Sequence, residues 1–161
     1  FKRLFLTDNQ LPFSASGIRS AARIKQAEKR HLADPSLACA LLKATPDRLL
    51  GDLETLGFLF EALCERDLRI YAESFGGSLY HNREIDAVVE MPDGEWAAFE
   101  IKLGANQIDT AAENLLAIQK EIASDEKAKA PKVLCVVCGL SNAVYQRPDG
   151  VFVVPITALK N

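Results

Sequence analysis

Three charged residues near the middle of the chain, Asp86, Glu100 and Lys102, are spaced as a metal-assisted hydrolytic site would need them. Met91-Pro92-Asp93-Gly94 separates two runs of alternating apolar character. It offers proline at the second turn position and glycine where a left-handed backbone is required, the chemistry of a three-residue hairpin loop built on a type I turn. With Pro92, Asp93 and Gly94 as the loop, residue 91 faces 95, so Asp86 lies opposite Glu100 and Glu84 opposite Lys102. Period-two alternation then puts Asp86, Glu100 and Lys102 on one face, with Ile85, Ala87, Phe99 and Ile101 on the other. Opposed Cβ atoms sit about 4.5 to 5.5 Å apart, and like charges that close destabilise a sheet. A divalent ion between Asp86 and Glu100 would remove the repulsion. Mg²⁺ typically accepts one or two carboxylates and keeps its other positions for water and substrate phosphate. It would polarise a phosphoryl oxygen and acidify a bound water, while Lys102 orients that water or neutralises charge building on the phosphorane. The bland alternative is a solvated sheet face on which Lys102 pairs with Glu84 and both carboxylates meet water.

The elements that must position these residues are read from capping signals and periodicity. Asp34-Pro35 is an N-cap followed by proline, opening a short apolar helix over residues 36–42. Thr45-Pro46-Asp47 repeats that signal before a long helix in which Leu49, Leu53, Leu56, Phe60 and Leu63 form the buried face, with Glu54, Glu61 and Glu65 off it. The period then changes to two, which predicts strands near residues 69–73 and 83–90, with 96–103 as the hairpin partner. A helix over 108–122 and an apolar strand over 133–137 follow, an arrangement that implies a parallel crossover. Arg147-Pro148-Asp149-Gly150 repeats the turn chemistry between 143–146 and 151–154, so a second hairpin is expected at the end. Residues 1–30 read as a linker or the tail of a preceding domain, and 31–161 as the domain proper.

With 161 residues and 48% hydrophobic content, the chain has material for one principal core. No apolar run approaches a membrane span and no signal peptide opens the sequence, so a soluble, cytoplasmic protein is expected. The sequence starts on Phe1 without methionine and is read as a fragment of a longer protein. Cys39, Cys64, Cys135 and Cys138 are too sparse for a secreted disulfide scaffold. Cys135-Val-Val-Cys138 matches CxxC but lies in an apolar strand, where cysteines behave as small hydrophobes. The net charge of −3 gives no general attraction for phosphate. Nucleic-acid binding would need a local patch, for which Arg19, Arg23, Lys25, Lys29 and Arg30 are the candidates; a solvated surface segment is the alternative. His31 and His81 read as structural or surface residues. Gly76-Gly77 is too short for a phosphate loop and no GxxxxGK[ST] occurs, so any ATPase activity would belong to another domain. Tyr71, Tyr80 and Trp96 read mainly as core, and Asn114 and Gln119 lie on the helix that could reach the site.

Three segments in order carry a resemblance. Gly57-Phe-Leu-Phe-Glu61 on a helix, Ile85-Asp86-Ala-Val-Val-Glu90, and Ala98-Phe99-Glu100-Ile101-Lys102 resemble the PD-(D/E)xK restriction-endonuclease-like superfamily. They look closest to the nuclease-like domain found C-terminal to AAA-type ATPase modules in bacteria and archaea, whose opening segment His31-Leu-Ala-Asp34-Pro35-Ser36 also resembles. The resemblance covers roughly residues 30–140, and Ile85 stands where the superfamily name has proline. It implies a mixed α/β fold: a central mixed sheet flanked by helices, an αβββαβ core with the C-terminal hairpin added. It also implies that Asp86 and Glu100 are Mg²⁺ or Mn²⁺ ligands, the Ile101 carbonyl a third, Lys102 the catalytic lysine and Glu61 an accessory acid. The expected function is metal-dependent hydrolysis of DNA phosphodiesters within a larger ATPase. The alternatives are a catalytically silent module of the same fold used for protein interaction, or a domain that binds DNA without cutting it.

Overall fold

Capping chemistry sets the helices of the computed structural model, which describes residues 6–16 and 27–159. Helix α1 (Pro35–Leu42) starts on Asp34, whose carboxylate accepts from the Ser36 N–H at 2.7 Å. Helix α2 (Pro46–Leu50) starts on Thr45 in the same manner. The long helix expected through this region is interrupted at Gly51 and Asp52. Asp52 caps a new helix, α3 (Leu53–Ser74), accepting from the Thr55 N–H at 3.1 Å and the Thr55 hydroxyl at 2.7 Å. Helix α3 also runs through residues 69–73, where alternation predicts a strand. Leu68 and Ala72, one turn apart, are both buried, so the apolar pattern there has a helical period as well. The Gly77 N–H closes the helix on the Ala72 carbonyl at 2.8 Å. The buried stripe of α3 is Cys64, Glu65, Leu68 and Ala72, whereas Leu53 and Phe58 in its first turns are exposed.

The strands are β1 (Thr7–Pro12), β2 (Lys29–Leu32), β3 (Ser78–His81), β4 (Ala87–Glu90), β5 (Trp96–Lys102), β6 (Val133–Cys138), β7 (Tyr145–Gln146) and β8 (Phe152–Pro155). They form one mixed sheet in the order β2-β1-β3-β4-β5-β6-β8-β7. Helix α4 (Ile108–Ala123) links β5 to its parallel neighbour β6. From α3 to β6 the chain therefore runs αβββαβ as expected, and the β7–β8 hairpin is appended through parallel pairing of β8 with β6. Strand β1 falls in the stretch read as a linker. It pairs with β2 and β3, so the sheet continues across residue 30.

Among the described residues, one long helix covers each sheet face. On one side Cys64 and Leu68 of α3 pack with Leu79, Ala87, Ile101, Cys135 and Val137. On the other, Ile108, Ala111 and Leu115 of α4 pack with Val88, Trp96, Ala98 and Val136. Trp96 is core, its indole N–H donating to the Lys129 carbonyl at 2.7 Å. Cys135 and Cys138 are buried free thiols in opposite clusters, so the CxxC does not gather two sulfurs on one ion, and burial pushes Cys135 up to about 12.

The first hairpin closes through Gly94 N–H to Met91 C=O at 2.9 Å and Met91 N–H to Glu95 C=O at 2.7 Å. Gly94 has φ +76°, and no atom lies within 4 Å of where a Cβ would stand. A side chain there meets backbone strain without steric conflict. Gly94→Val is therefore expected to cost about 1 to 2 kcal/mol in urea unfolding, and Gly94→Asn distinctly less, since asparagine tolerates the left-handed region. Equal losses for the two would refute this.

Candidate functional site

Strands β4 and β5 pair Ala87 with Phe99, Val88 with Ala98, Val89 with Ala97 and Glu90 with Trp96. That is the register drawn from the turn, and its continuation brings Asp86 to Glu100. The ladder stops at Ala87, however, because residues 83–86 form a bend. The Asp86 side chain there takes the place of a strand partner: its Oδ2 accepts from the Ile101 N–H at 2.7 Å and from Lys102 Nζ at 3.0 Å. Lys102 Nζ also lies 2.6 Å from Glu100 Oε2. The bend changes two details of the expected arrangement. Ile85 joins the α4-side cluster with Trp96 and Ala98 instead of packing with Ala87 and Ile101. Glu84 makes no pair with Lys102; its N–H donates to the Asn82 side chain, while Lys102 serves Asp86 and Glu100.

The electrostatics of this trio are those of a crowded acid pair. Glu100 is only 4% exposed. Burial, then the charge of Asp86, raises its carboxyl above the ordinary range against the opposing pull of Lys102. Burial also works against the Lys102 ammonium, but hydrogen bonds and charge from Glu100 and Asp86 outweigh it and hold the lysine protonated.

Helix α3 brings two more acids. Glu61 lines a cavity of about 610 Å³ together with Lys102, Gly104 and Asn106. Its Oε1 is 3.0 Å from Lys29 Nζ, and the same ammonium lies 2.8 Å from Glu65 Oε1. Lys29, assigned from sequence to a nucleic-acid-binding patch, is thus engaged by the acids of α3. Arg30 is exposed, whereas Arg19, Arg23 and Lys25 lie outside the described residues. Glu65 is the acid that sequence reading misplaced: it is 2% exposed, one turn beyond Glu61 on the sheet-facing side. The four-residue spacing from Glu61 was the available signal. Burial pushes the Glu65 carboxyl up to about 7; Lys29 pulls it down, and the charges of Glu61 and Asp86 add to the rise. Asp86 is therefore felt at Glu65, and the two acid groups share one field.

Gln10 and His31, on β1 and β2, complete the surroundings of Glu65. Gln10 Nε2 is 3.4 Å and His31 Nε2 3.1 Å from Glu65 Oε2. Burial, with the charges of Lys29 and His81, lowers His31 to about 4. His81 is buried, its Nε2 3.0 Å from the Ala27 carbonyl. Among the described residues no hydrogen bond joins Asn114 or Gln119 to these groups, and Asn114 is exposed.

Glu65 gives the site a signed pH dependence. Its carboxyl holds a proton up to about 7 in the fold against an ordinary 4.5. The folded state then binds more protons across that window, and its contribution to stability falls as pH rises from about 4.5 to 7. His31 acts oppositely between about 4 and 6.5, since its lowered pKa makes the folded state bind fewer protons. Glu65→Gln isolates the first effect. Relative to the parent, the variant is expected to be more stable at pH 8 than at pH 5 by about 1 to 3 kcal/mol. A parent-to-variant difference in urea unfolding that does not change with pH would contradict this.

A divalent cation fits the chemistry of the donors. The lysines paired with Glu61, Glu65, Asp86 and Glu100 among the described residues are Lys29 and Lys102, and ionisation of Glu65 and Glu100 is opposed by burial. Among the described residues no three His, Cys, Asp or Glu side chains converge into a preformed cage. The Asp86–Glu100 pair instead suits an ion that keeps most of its water and takes further ligands from substrate.

A family model described as a domain of unknown function (DUF4143) matches residues 56–159, more than half of the chain. The matched span carries Glu61, Glu65, Asp86, Glu100 and Lys102, while Gln10, Lys29 and His31 precede it. No curated protein and no solved structure matches the chain. Among the described residues, no helix is long and apolar enough to cross a membrane.

Proposed function

The chain belongs to the DUF4143 family, and we propose that it is a metal-dependent phosphodiesterase domain of the PD-(D/E)xK type that cuts DNA as the C-terminal part of a larger AAA-type ATPase. The observation that carries this reading is the Lys102 ammonium, 3.0 Å from Asp86 and 2.6 Å from Glu100, beside a cavity that Glu61 also lines. Asp86 and Glu100 would hold Mg²⁺ or Mn²⁺, with the Ile101 carbonyl as the further donor that the resemblance implies. The bound ion would supply positive charge to a phosphoryl oxygen and acidify a water.

The chain's own groups do the rest. Lys102, kept protonated by its two acids, has N–H groups to donate to a phosphate oxygen and offset the charge that develops there. Asp86 accepts from the Ile101 N–H, which lies between Glu100 and Lys102 on β5, and so ties the backbone of that strand end to the acid pair. Glu61 faces the cavity and offers a carboxylate to a water entering it.

A second reading, a catalytically silent module that binds another protein, is favoured by one observation. Leu53, Phe58 and Leu140 are exposed and line one cavity, and contiguous exposed apolar surface marks interaction sites. Supercoiled plasmid incubated with the chain and Mg²⁺ or Mn²⁺ separates the two. Nicking that requires the metal and is lost in Asp86→Ala and Lys102→Ala supports the nuclease. No nicking with either metal, or nicking retained by both variants, supports the silent module.

A further inference from the structure

A smaller donor cluster lies between β1, β2 and α3, beside the Asp86–Glu100–Lys102 group, and among the described residues no side-chain hydrogen bond joins the two. Gln10 is 1% and Glu65 2% exposed. His31 Nε2 lies 3.1 Å from Glu65 Oε2 yet forms no hydrogen bond with it, and Gln10 Oε1 has no donor among the described residues. The amide nitrogen of Gln10 stands 3.4 Å from the same Glu65 oxygen, at the outer limit of a hydrogen bond. Buried acceptors are rarely left unpaired. Here His31 Nε2 and the Gln10 amide both approach Glu65 Oε2, while the Lys29 ammonium sits on the other Glu65 oxygen.

The two separations from Glu65 Oε2 are those of ligands on one ion. Two donors bonded to a first-row metal at about 2.0 to 2.2 Å lie about 3.0 to 3.5 Å apart. The 3.1 and 3.4 Å distances from Glu65 Oε2 fall in that range. The two ends of an amide are distinguished only by their hydrogen bonds, so a half-turn of the Gln10 amide presents its oxygen where the nitrogen now stands. Lys29 does not occupy the position, because it engages the other Glu65 oxygen, Oε1, at 2.8 Å, and Glu61 at 3.0 Å. A crevice of about 210 Å³ reaches Gln10, His31 and Glu65 past Arg66 and Arg69, whose charges are paired with Asp34 and Asp67 and with Asp8.

We propose that His31 Nε2, Glu65 Oε2 and the Gln10 amide oxygen form a binding site for a transition-metal dication of the Zn²⁺ type, distinct from the Asp86–Glu100 pair. The imidazole selects such ions over Mg²⁺, which prefers oxygen alone. The ion would tie β1 and β2, which precede the family-matched span, to helix α3. This assignment does not depend on nuclease activity.

The test strips the full chain of metal with a chelator and titrates Zn²⁺ by calorimetry, with Co²⁺ as the visible-absorbing substitute. Asp86→Ala removes the other pair and is expected to leave one Zn²⁺ bound. His31→Gln should weaken that binding by at least about tenfold, as loss of metal-site groups does. Gln10→Glu, which replaces a neutral donor by a charged one of the same length, should tighten it by about tenfold. Gln10→Glu is a gain of affinity and remains readable if His31→Gln does not fold. The proposal is overturned if Asp86→Ala binds no Zn²⁺, or if Gln10→Glu leaves the affinity unchanged. A Co²⁺ spectrum that lacks the His31-dependent d–d bands would also overturn it.

Discussion

Lys102→Met is expected to lower metal-dependent strand cleavage by about 10² or more, because a single fixed donor to developing charge is typically worth that much. The variant keeps the length of the side chain but leaves Asp86 and Glu100 without their shared ammonium, which now sits 3.0 and 2.6 Å from them. Two consequences follow that simple unfolding would not produce. Stability should drop most above neutral pH, where burial and Asp86 oppose ionisation of Glu100, and added Mg²⁺ should restore more stability to the variant than to the parent. Thermal melts with and without Mg²⁺ beside the plasmid assay check both. Lost cleavage with an unchanged response to Mg²⁺ would separate Lys102 from the metal pair.

Lys29→Ala carries the largest expected effect on stability. The ammonium bridges Glu61 and the 2% exposed Glu65, and its removal takes the lysine charge from a buried carboxylate that keeps the Gln10 amide at 3.4 Å and His31 at 3.1 Å. Breaking a buried pair in this way costs about 3 to 5 kcal/mol. Lys29 is itself 37% exposed, so water replaces part of its effect and about 2 to 3 kcal/mol is expected at pH 8. Below about pH 7 the Glu65 carboxyl takes up a proton, and the buried charge that Lys29 balances disappears. The loss should therefore shrink by half or more at pH 5. Urea unfolding at the two pH values decides this, and an equal loss at both would mean that Lys29 acts through packing alone.

Local chemistry was legible in the sequence wherever a single turn or cap controlled it. The Pro92-Asp93-Gly94 loop determined the β4–β5 register, and Asp34-Pro35 and Thr45-Pro46 opened their helices where expected. The order αβββαβ followed from the succession of periods. Misreadings arose where two periods or two charges competed. Residues 69–73 alternate like a strand, but Leu68 and Ala72 share a buried helical stripe, and tertiary packing selected the helix. Glu65 looked like a solvated acid because nothing in its neighbourhood on α3 shows that Lys29, His31 and Gln10 fold over it from strands more than thirty residues away. The same long-range contacts place β1 in the sheet, although its sequence, Thr-Asp-Asn-Gln-Leu-Pro, has little apolar content to announce it. Asp86 was placed beside Glu100 by counting, but its bond to the Ile101 N–H depends on the bend at 83–86, which counting along an ideal strand could not show.

The most direct measurement is a Mn²⁺ titration followed by electron paramagnetic resonance, made on the His31→Gln chain so that the cluster at Glu65 is weakened and the Asp86–Glu100 pair dominates the reading. One bound Mn²⁺ is expected in that chain, and none once Asp86→Ala is added. Adding Lys102→Met instead should tighten the binding, since the ammonium competes for the same two carboxylates. No bound ion in any of the three chains, or an affinity indifferent to Asp86→Ala, would contradict a metal centre at Asp86 and Glu100.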